Sequence, residues 1–335
     1  MAKLIKGVGL RGLILLLAIS AHAAPQRAVW IDTDPSVARG EHEIDDGIAL
    51  LQAFASPELD IRGISIVYGN ADLPTASRIG KELVSSFGPT GMQVFIGAGG
   101  PKDLGRETEA SRALAKELAR GRLTIVALGP ATNVATVVKN HPELVKNIEQ
   151  AIAVAGRRPG QQFIAGPKQK IPFRDLNFEL DPEAFRVLLA SKVPIVLAPW
   201  EISSQVWITR EDMQAAAKHN RGMAWLLPAA EDWLAMWGRE FGAPGFNPFD
   251  ALAIGYVTNR GDMKCGPFAA AVEVSDKPYL IVRPAVATQR EVTYCFAAKP
   301  GFKTGLLKRL SSGNLGLLND DGGRSIVPVQ IVHDR

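Results

Sequence analysis

Cysteine is nearly absent from this chain: of 335 residues only Cys265 and Cys295 carry a thiol, both in the last quarter. They can form at most one disulfide. A disulfide and two buried, unpaired thiols are both open to them. Long apolar runs are missing too, and beyond the N-terminus no stretch is long enough to span a bilayer. There is no low-complexity linker and no internal repeat to divide the chain, so one domain over residues 24–335 is expected. Nor is there a basic patch with interleaved aromatics, which argues against nucleic acid as a partner.

What is present begins with an export signal. Lys3, Lys6 and Arg11 precede an apolar run from Leu13 to Ile19, followed by the small-x-small site Ala21-His22-Ala23. This pattern predicts a signal peptide over residues 1–23 and a periplasmic or secreted mature chain that keeps no membrane attachment. Cleavage removes three positive charges from the formal +4, leaving about +1. The basic character of the whole chain is therefore partly that of its leader.

The chemistry centres on Trp30-Ile31-Asp32-Thr33-Asp34-Pro35 and Asp45-Asp46-Gly47-Ile48-Ala49-Leu50. Ala28 to Ile31 reads as a buried strand, so Asp32 and Asp34 are expected where it ends. Asp45 and Asp46 open an apolar helical pattern through Ile48, Leu51 and Phe54. Helix caps and turn formers would account for one or two of these four aspartates. Four in one strand-turn-helix unit need a counter-charge, and a hard cation is the simplest one.

Strand and helix patterns then alternate. Strands are expected at 61–68, 93–96, 123–128, 151–155 and 194–198, and helices at 75–87, 111–120, 132–139 and 182–191. The fold class this predicts is α/β, a mostly parallel central sheet with helices on both faces. Residues 210–241 read as helical, with Trp233 and Trp237 one turn apart and expected to pack in a core or against a partner subunit, more than to stack on substrate. A further helix is expected over Ala251 to Val257. The strand patterns at 269–274, 279–282 and 291–296 suggest a small antiparallel C-terminal addition.

The two aspartate motifs resemble the halves of the DTDPG-x-DD-x-x-AL signature of the inosine-uridine-type nucleoside hydrolases. Here Ser36 replaces the glycine after Pro35, and a nine-residue detour, Ser36 to Ile44, replaces a two-residue link. Three further segments resemble family motifs: Leu123 to Asn133, Arg174 to Ala184, and Phe249-Asp250-Ala251-Leu252-Ala253. The resemblance implies a Rossmann-related fold and a calcium ion held by Asp34, Asp46, the Leu128 carbonyl and Asp250. It implies that Asp34 also activates a calcium-bound water, and that Asp45, Asn70, Asp175 and Asn177 bind the ribose, with Asp32 supporting the turn. The expected substrate is a small-molecule nucleoside, and the expected assembly a homo-oligomer.

Two departures bear on the substrate, the first at the leaving group and the second at the sugar. Phe249 stands where the family often has a histidine that protonates the departing base, and Asp175 stands where glutamate is usual. The detour is expected to loop over or beside the pocket, either as a plain surface loop or with His42, Glu41 or Glu43 supplying the missing acid. The basic loop from Arg157 to Phe173 reads as a lid or a surface loop. Alternatives to the hydrolase are a riboside-binding protein without turnover, or a hydrolase of another ribosyl compound.

Overall fold

Strand β1 (Arg27–Thr33) lies at the heart of the sheet, and its composition shows why: Val29, Trp30 and Ile31 are almost wholly buried, as a strand covered on both faces requires. The computed structural model describes residues 26–40, 42–285 and 290–312. The signal-peptide reading of residues 1–23, and Glu41, lie outside the described residues.

From β1 the chain runs through α1 (Asp45–Phe54), β2 (Leu59–Ile66), α2 (Leu73–Phe87), β3 (Val94–Ile96), α3 (Glu109–Arg120), β4 (Leu123–Ala127), α4 (Thr132–Asn140) and β5 (Ile148–Ala153). It continues through α5 (Leu176–Leu180), α6 (Pro182–Ala190), β6 (Ile195–Leu197), α7 (Trp200–Ser203), α8 (Arg210–Ala217), α9 (Arg221–Met236) and α10 (Phe249–Thr258). It closes with β7 (Met263–Val274), β8 (Pro278–Pro284), β9 (Glu291–Ala298) and α11 (Gly301–Ser311).

These strands form one sheet in the order β3-β2-β1-β4-β5-β6-β9-β7-β8. Pairing is parallel from β3 through to β9, and β7 is antiparallel to both β9 and β8. The C-terminal strands therefore extend the main sheet, and β9, expected in an antiparallel addition, also pairs parallel with β6. Cys265 and Cys295 face each other across β7 and β9 and are joined in a disulfide.

Side chains alternate between two apolar layers as the strand repeat demands. Ile31, Val126 and Ile152 enter the layer with α1, α2 and α8–α11, whereas Trp30, Ile125 and Ala151 enter the layer with α3, α4 and α6. Helix α2 starts at Leu73, ahead of the expected Thr75, because Asp72 accepts a hydrogen bond from Thr75 N at 2.9 Å and a proline fits the first turn. Helix α9 passes into a single π turn, Trp237–Phe241, ended by left-handed Gly242 at φ +67°. Among the described residues, no helix is long and apolar enough to cross a membrane.

The connections out of β1 decide where a ligand sits. The chain first winds outward to β2 and β3 and then returns to β4 on the other side of β1. The carboxyl ends of β1 and β4 thus flank a topological switch point, where open α/β sheets leave a crevice.

Candidate active site

Asp34 follows the end of β1 at that switch point and is completely buried. Its Oδ2 accepts a hydrogen bond from Asn70 N at 2.7 Å, while Oδ1 has no partner. The carboxylate is wedged between two glycines. A Cβ on Gly69 would run into Oδ2, and one on Gly129 would lie 2.7 Å from Oδ1. Burial, followed by the charges of Asp46 and Glu43, pushes its pKa well above 3.8.

Asp32 does not emerge at the strand end as expected; β1 runs two residues further than its apolar core, so Asp32 lies within the strand. Its Oδ1 accepts hydrogen bonds from Ser65 Oγ and from Asn133 Nδ2, the latter at 2.8 Å. Asn133 is anchored in turn by Ala98 N, which donates to its Oδ1 at 2.8 Å. Burial pushes Asp32 up to about 7 in spite of these bonds. Asp32 is thus held within the strand by Ser65 and Asn133.

The start of α1 brings the other carboxylates. Asp46 is fully buried, with Oδ1 accepting from Thr33 Oγ1 and from Asp34 N at 3.1 Å. Asn70 Nδ2 reaches its Oδ2 at 3.4 Å, so Asn70 braces both Asp34 and Asp46. Asp45 is 8 % exposed and faces the adjoining cleft. Burial is the main cause in raising Asp45 to about 6 and Asp46 to about 8; Glu43's charge adds to the latter. Asp250, in the first turn of α10, is raised by burial and by the charges of Asp45, Asp46, Asp34 and Glu43. The fold thus gathers aspartates from the two ends of the motif and from a helix some two hundred residues later.

Oxygens of Glu43, Asp45 and Asp46 lie within 4.8 Å of one another. This triad differs from the ligand set implied by the family resemblance. Its closeness reflects a helix start, because Glu43 Oε2 accepts from Asp45 N at 2.9 Å and Asp46 N at 3.4 Å.

Beside the cluster lies a cleft of about 420 Å³ with two contrasting ends. Glu43, Asp45, Asn70, Leu128, Asn177 and Asp250 line one end, with Asp175 close by. Asn177 Nδ2 donates to Leu128 O and, at 3.1 Å, to Val154 O. A carbonyl oxygen has two lone pairs, so Leu128 keeps one for another partner. Asp175 accepts from Gly156 N at 2.9 Å and is pushed to about 7 by burial, against the pull of Arg157.

Phe163, Phe173, Trp200, Trp233, Trp237 and Phe249 line the other end. Trp237 packs against Phe173 at 5.5 Å and Phe249 at 6.5 Å between ring centroids, and is only 1 % exposed. The expected core packing and a place on the cleft wall therefore coincide in this residue. The loop from Arg157 to Phe173 folds back on itself, Phe173 N donating to Phe163 O at 2.9 Å, and both phenylalanines reach the cleft.

The structure brings together Asp45, Asn70, Leu128, Asp175, Asn177 and Asp250 along the cleft, with Asp34 and Asp46 beneath. Of the detour's candidate acids, Glu43 reaches the cleft, whereas His42 is not among the residues lining it. Phe163 and Phe173, from one loop, and Trp200, from the start of α7, are not legible in the sequence as cleft residues, since the loop and the helix lie far apart along the chain. Asn133 lies in a recognisable motif, but nothing local in the sequence marks it as the partner of Asp32.

The inosine-uridine preferring nucleoside hydrolase family model matches residues 29–293. Among curated proteins, the pyrimidine-specific ribonucleoside hydrolase RihA of Photobacterium profundum is 27% identical over 256 residues, covering 66% of this chain and 77% of its own. The probable uridine nucleosidase 2 of Oryza sativa subsp. japonica is 24% identical over 251 residues, covering 64% and 71%. Among solved structures, the plant nucleoside hydrolase PpNRh1 has a TM-score of 0.74 at 22% identity, covering 86% of this chain and all of its own. The purine-preferring ribonucleoside hydrolase from Gardnerella vaginalis has a TM-score of 0.72 at 18% identity, covering 85% and 98%.

Proposed function

The chain belongs to the inosine-uridine preferring nucleoside hydrolase family, and on that premise we propose that it splits ribonucleosides into free base and ribose with calcium as its metal. The observation that carries this is the buried, unpartnered Oδ1 of Asp34 amid carboxylates that raise one another's pKa values. Such a cluster fits a divalent cation, since burial and mutual repulsion oppose ionisation unless a positive charge offsets them. Hard oxygen donors favour calcium or magnesium over softer metals. Asp34, Asp46, Asp250 and the free lone pair of Leu128 O would hold it. When bound, the cation supplies a fixed positive charge that makes water more acidic and binds sugar hydroxyls.

Asp34 then takes a proton from the attacking water at Oδ1, the carboxylate oxygen left free of hydrogen bonds. Asp45, Asn70, Asp175 and Asn177 orient the ribose. The C1′–N bond breaks with its electron pair going to the base, and the anionic floor favours the positive charge that develops on the sugar. The aromatic end holds the base and excludes water. None of its six side chains is an acid, so the proton for the departing base has to come from outside this aromatic end.

Export accompanies this function: the leader over residues 1–23 is the support for it, and the Cys265–Cys295 disulfide suits an oxidising compartment.

The test is release of reducing sugar from purine and pyrimidine ribosides by the mature protein, with and without calcium chelation, beside Asp34→Ala. Release that requires both calcium and Asp34 is expected. A riboside that binds without being cleaved would favour a receptor instead.

A further inference from the structure

The detour from Ser36 to Ile44 separates Asp34 from Asp45 and Asp46, yet these residues meet at one site. Something must draw its ends together. Glu43 does so with a single carboxylate. Oε1 accepts from Ser36 N at 2.9 Å and Ser36 Oγ at 3.0 Å, and Oε2 accepts from Asp45 N at 2.9 Å and Asp46 N at 3.4 Å. The first residue of the detour is thus tied to the first turn of α1.

The rest of the detour follows from that closure. Ser36 and Val37 are buried, and Val37 lies so close to Gly47 of α1 that a Cβ there would meet its Cγ2 at 3.0 Å. Among the described residues of the detour, Arg39 and Gly40 at its tip are the exposed ones. The tip has its own anchor: Arg39 Nε and Gly40 N donate to Asp232 of α9 at 2.6 and 2.9 Å. Gly40 makes the turn at φ +86°.

We propose that Glu43 is a positioning residue for the cation site, a buckle that sets the spacing of Asp34 against Asp46 across the inserted loop. This rests on the calcium reading above. A carboxylate has about four lone-pair sites. Four donors fill those of Glu43, so it acts through the Ser36, Asp45 and Asp46 backbone and not as a ligand. Without it, two N–H groups at the start of α1 lose their acceptor, and the bonds of Thr33 Oγ1 and Asp34 N to Asp46 Oδ1 are left to hold the spacing against the motion of the loop. A short link between the motifs would hold the same spacing by its length alone. The glutamate is therefore required only because the loop is long.

Calcium titration calorimetry on the mature protein tests this, with melting temperature measured on the metal-free samples. Glu43→Gln is expected to weaken calcium binding about tenfold or more, as loss of a residue that orients metal ligands does. Arg39→Ala, which releases only the tip, is expected to bind as the wild type. A chain in which residues 36–43 are replaced by one glycine is expected to regain near wild-type affinity with no glutamate at all, and it answers the question even if Glu43→Gln folds poorly. Unchanged binding in Glu43→Gln, or weak binding in the folded, shortened chain, overturns the inference. No calcium binding by the wild type overturns the calcium reading and this inference with it.

Discussion

The backbone of Gly69 lies against the carboxylate of Asp34 so closely that no side chain fits between them. The contact is polar as well as steric, because the next residue, Asn70, donates its N–H to the same Asp34 oxygen at 2.7 Å. Gly69→Ala must therefore push Asp34 aside or break that bond. A displacement near 1 Å is enough to cost roughly 100-fold in rate. We expect kcat/KM to fall by about that factor with little change in the far-ultraviolet circular dichroism, and retention of full activity would show that Asp34 tolerates displacement.

The carboxylate cluster links stability to pH in a definite direction. Asp45, Asp32 and Asp46 titrate at about 6, 7 and 8 when folded, against 3.8 ordinarily. Between these values the folded, cation-free chain keeps protons that the unfolded chain has released. Their contribution is complete below about pH 4 and is lost as pH rises through 6 to 8. A calcium ion held as proposed would favour the ionised cluster, so the rise in melting temperature on adding it is expected to be larger near pH 8 than near pH 5. Thermal melts with chelator and with calcium at both values check this; an equal rise at both would contradict it.

Asn133 supports the site from behind. Its Nδ2 donates to Asp32 and its Oδ1 accepts from Ala98 N, all in the interior. Asn133→Ala leaves the buried Ala98 N–H without its acceptor, while Asp32 Oδ1 keeps its bond from Ser65 Oγ, so one group is left unsatisfied at a cost of about 1–3 kcal/mol. Urea unfolding of the metal-free protein is expected to show a loss in that range. A loss well below 1 kcal/mol would mean that water or a shifted side chain replaces the amide.

How much of this was legible in the sequence depended on distance along the chain. Asp34, Asp45 and Asp46 belong to one strand-loop-helix unit, and the alternation of apolar patterns locates that unit in a parallel sheet. Asp250 has no such local signal; its first-turn position alone reads as a helix cap, and only the family resemblance singles it out. The aromatic end was largely hidden, because Phe163, Trp200, Trp237 and Phe249 come together through loop closure and sheet order. Glu43 was visible as an acid in an inserted loop, but its four hydrogen bonds depend on where Ser36 returns in space.

Phe249 offers the sharpest test of how the base leaves. It opens α10 next to Asp250, and its ring lies 6.3 Å from Phe173 and 6.5 Å from Trp237, on the wall of the aromatic end. A purine departs more readily when it is protonated as the bond breaks, and this wall has no group to do that. Phe249→His would place an imidazole there, and a positioned general acid contributes about 10²–10⁴-fold at best. With unrefined placement, a gain of about tenfold in kcat on inosine is expected, and less on uridine. The gain should disappear as pH rises through the imidazole's pKa, because only the protonated ring donates. Rate–pH profiles of both enzymes on both substrates measure this. An unchanged kcat on inosine at every pH would mean that proton delivery from this wall does not limit cleavage.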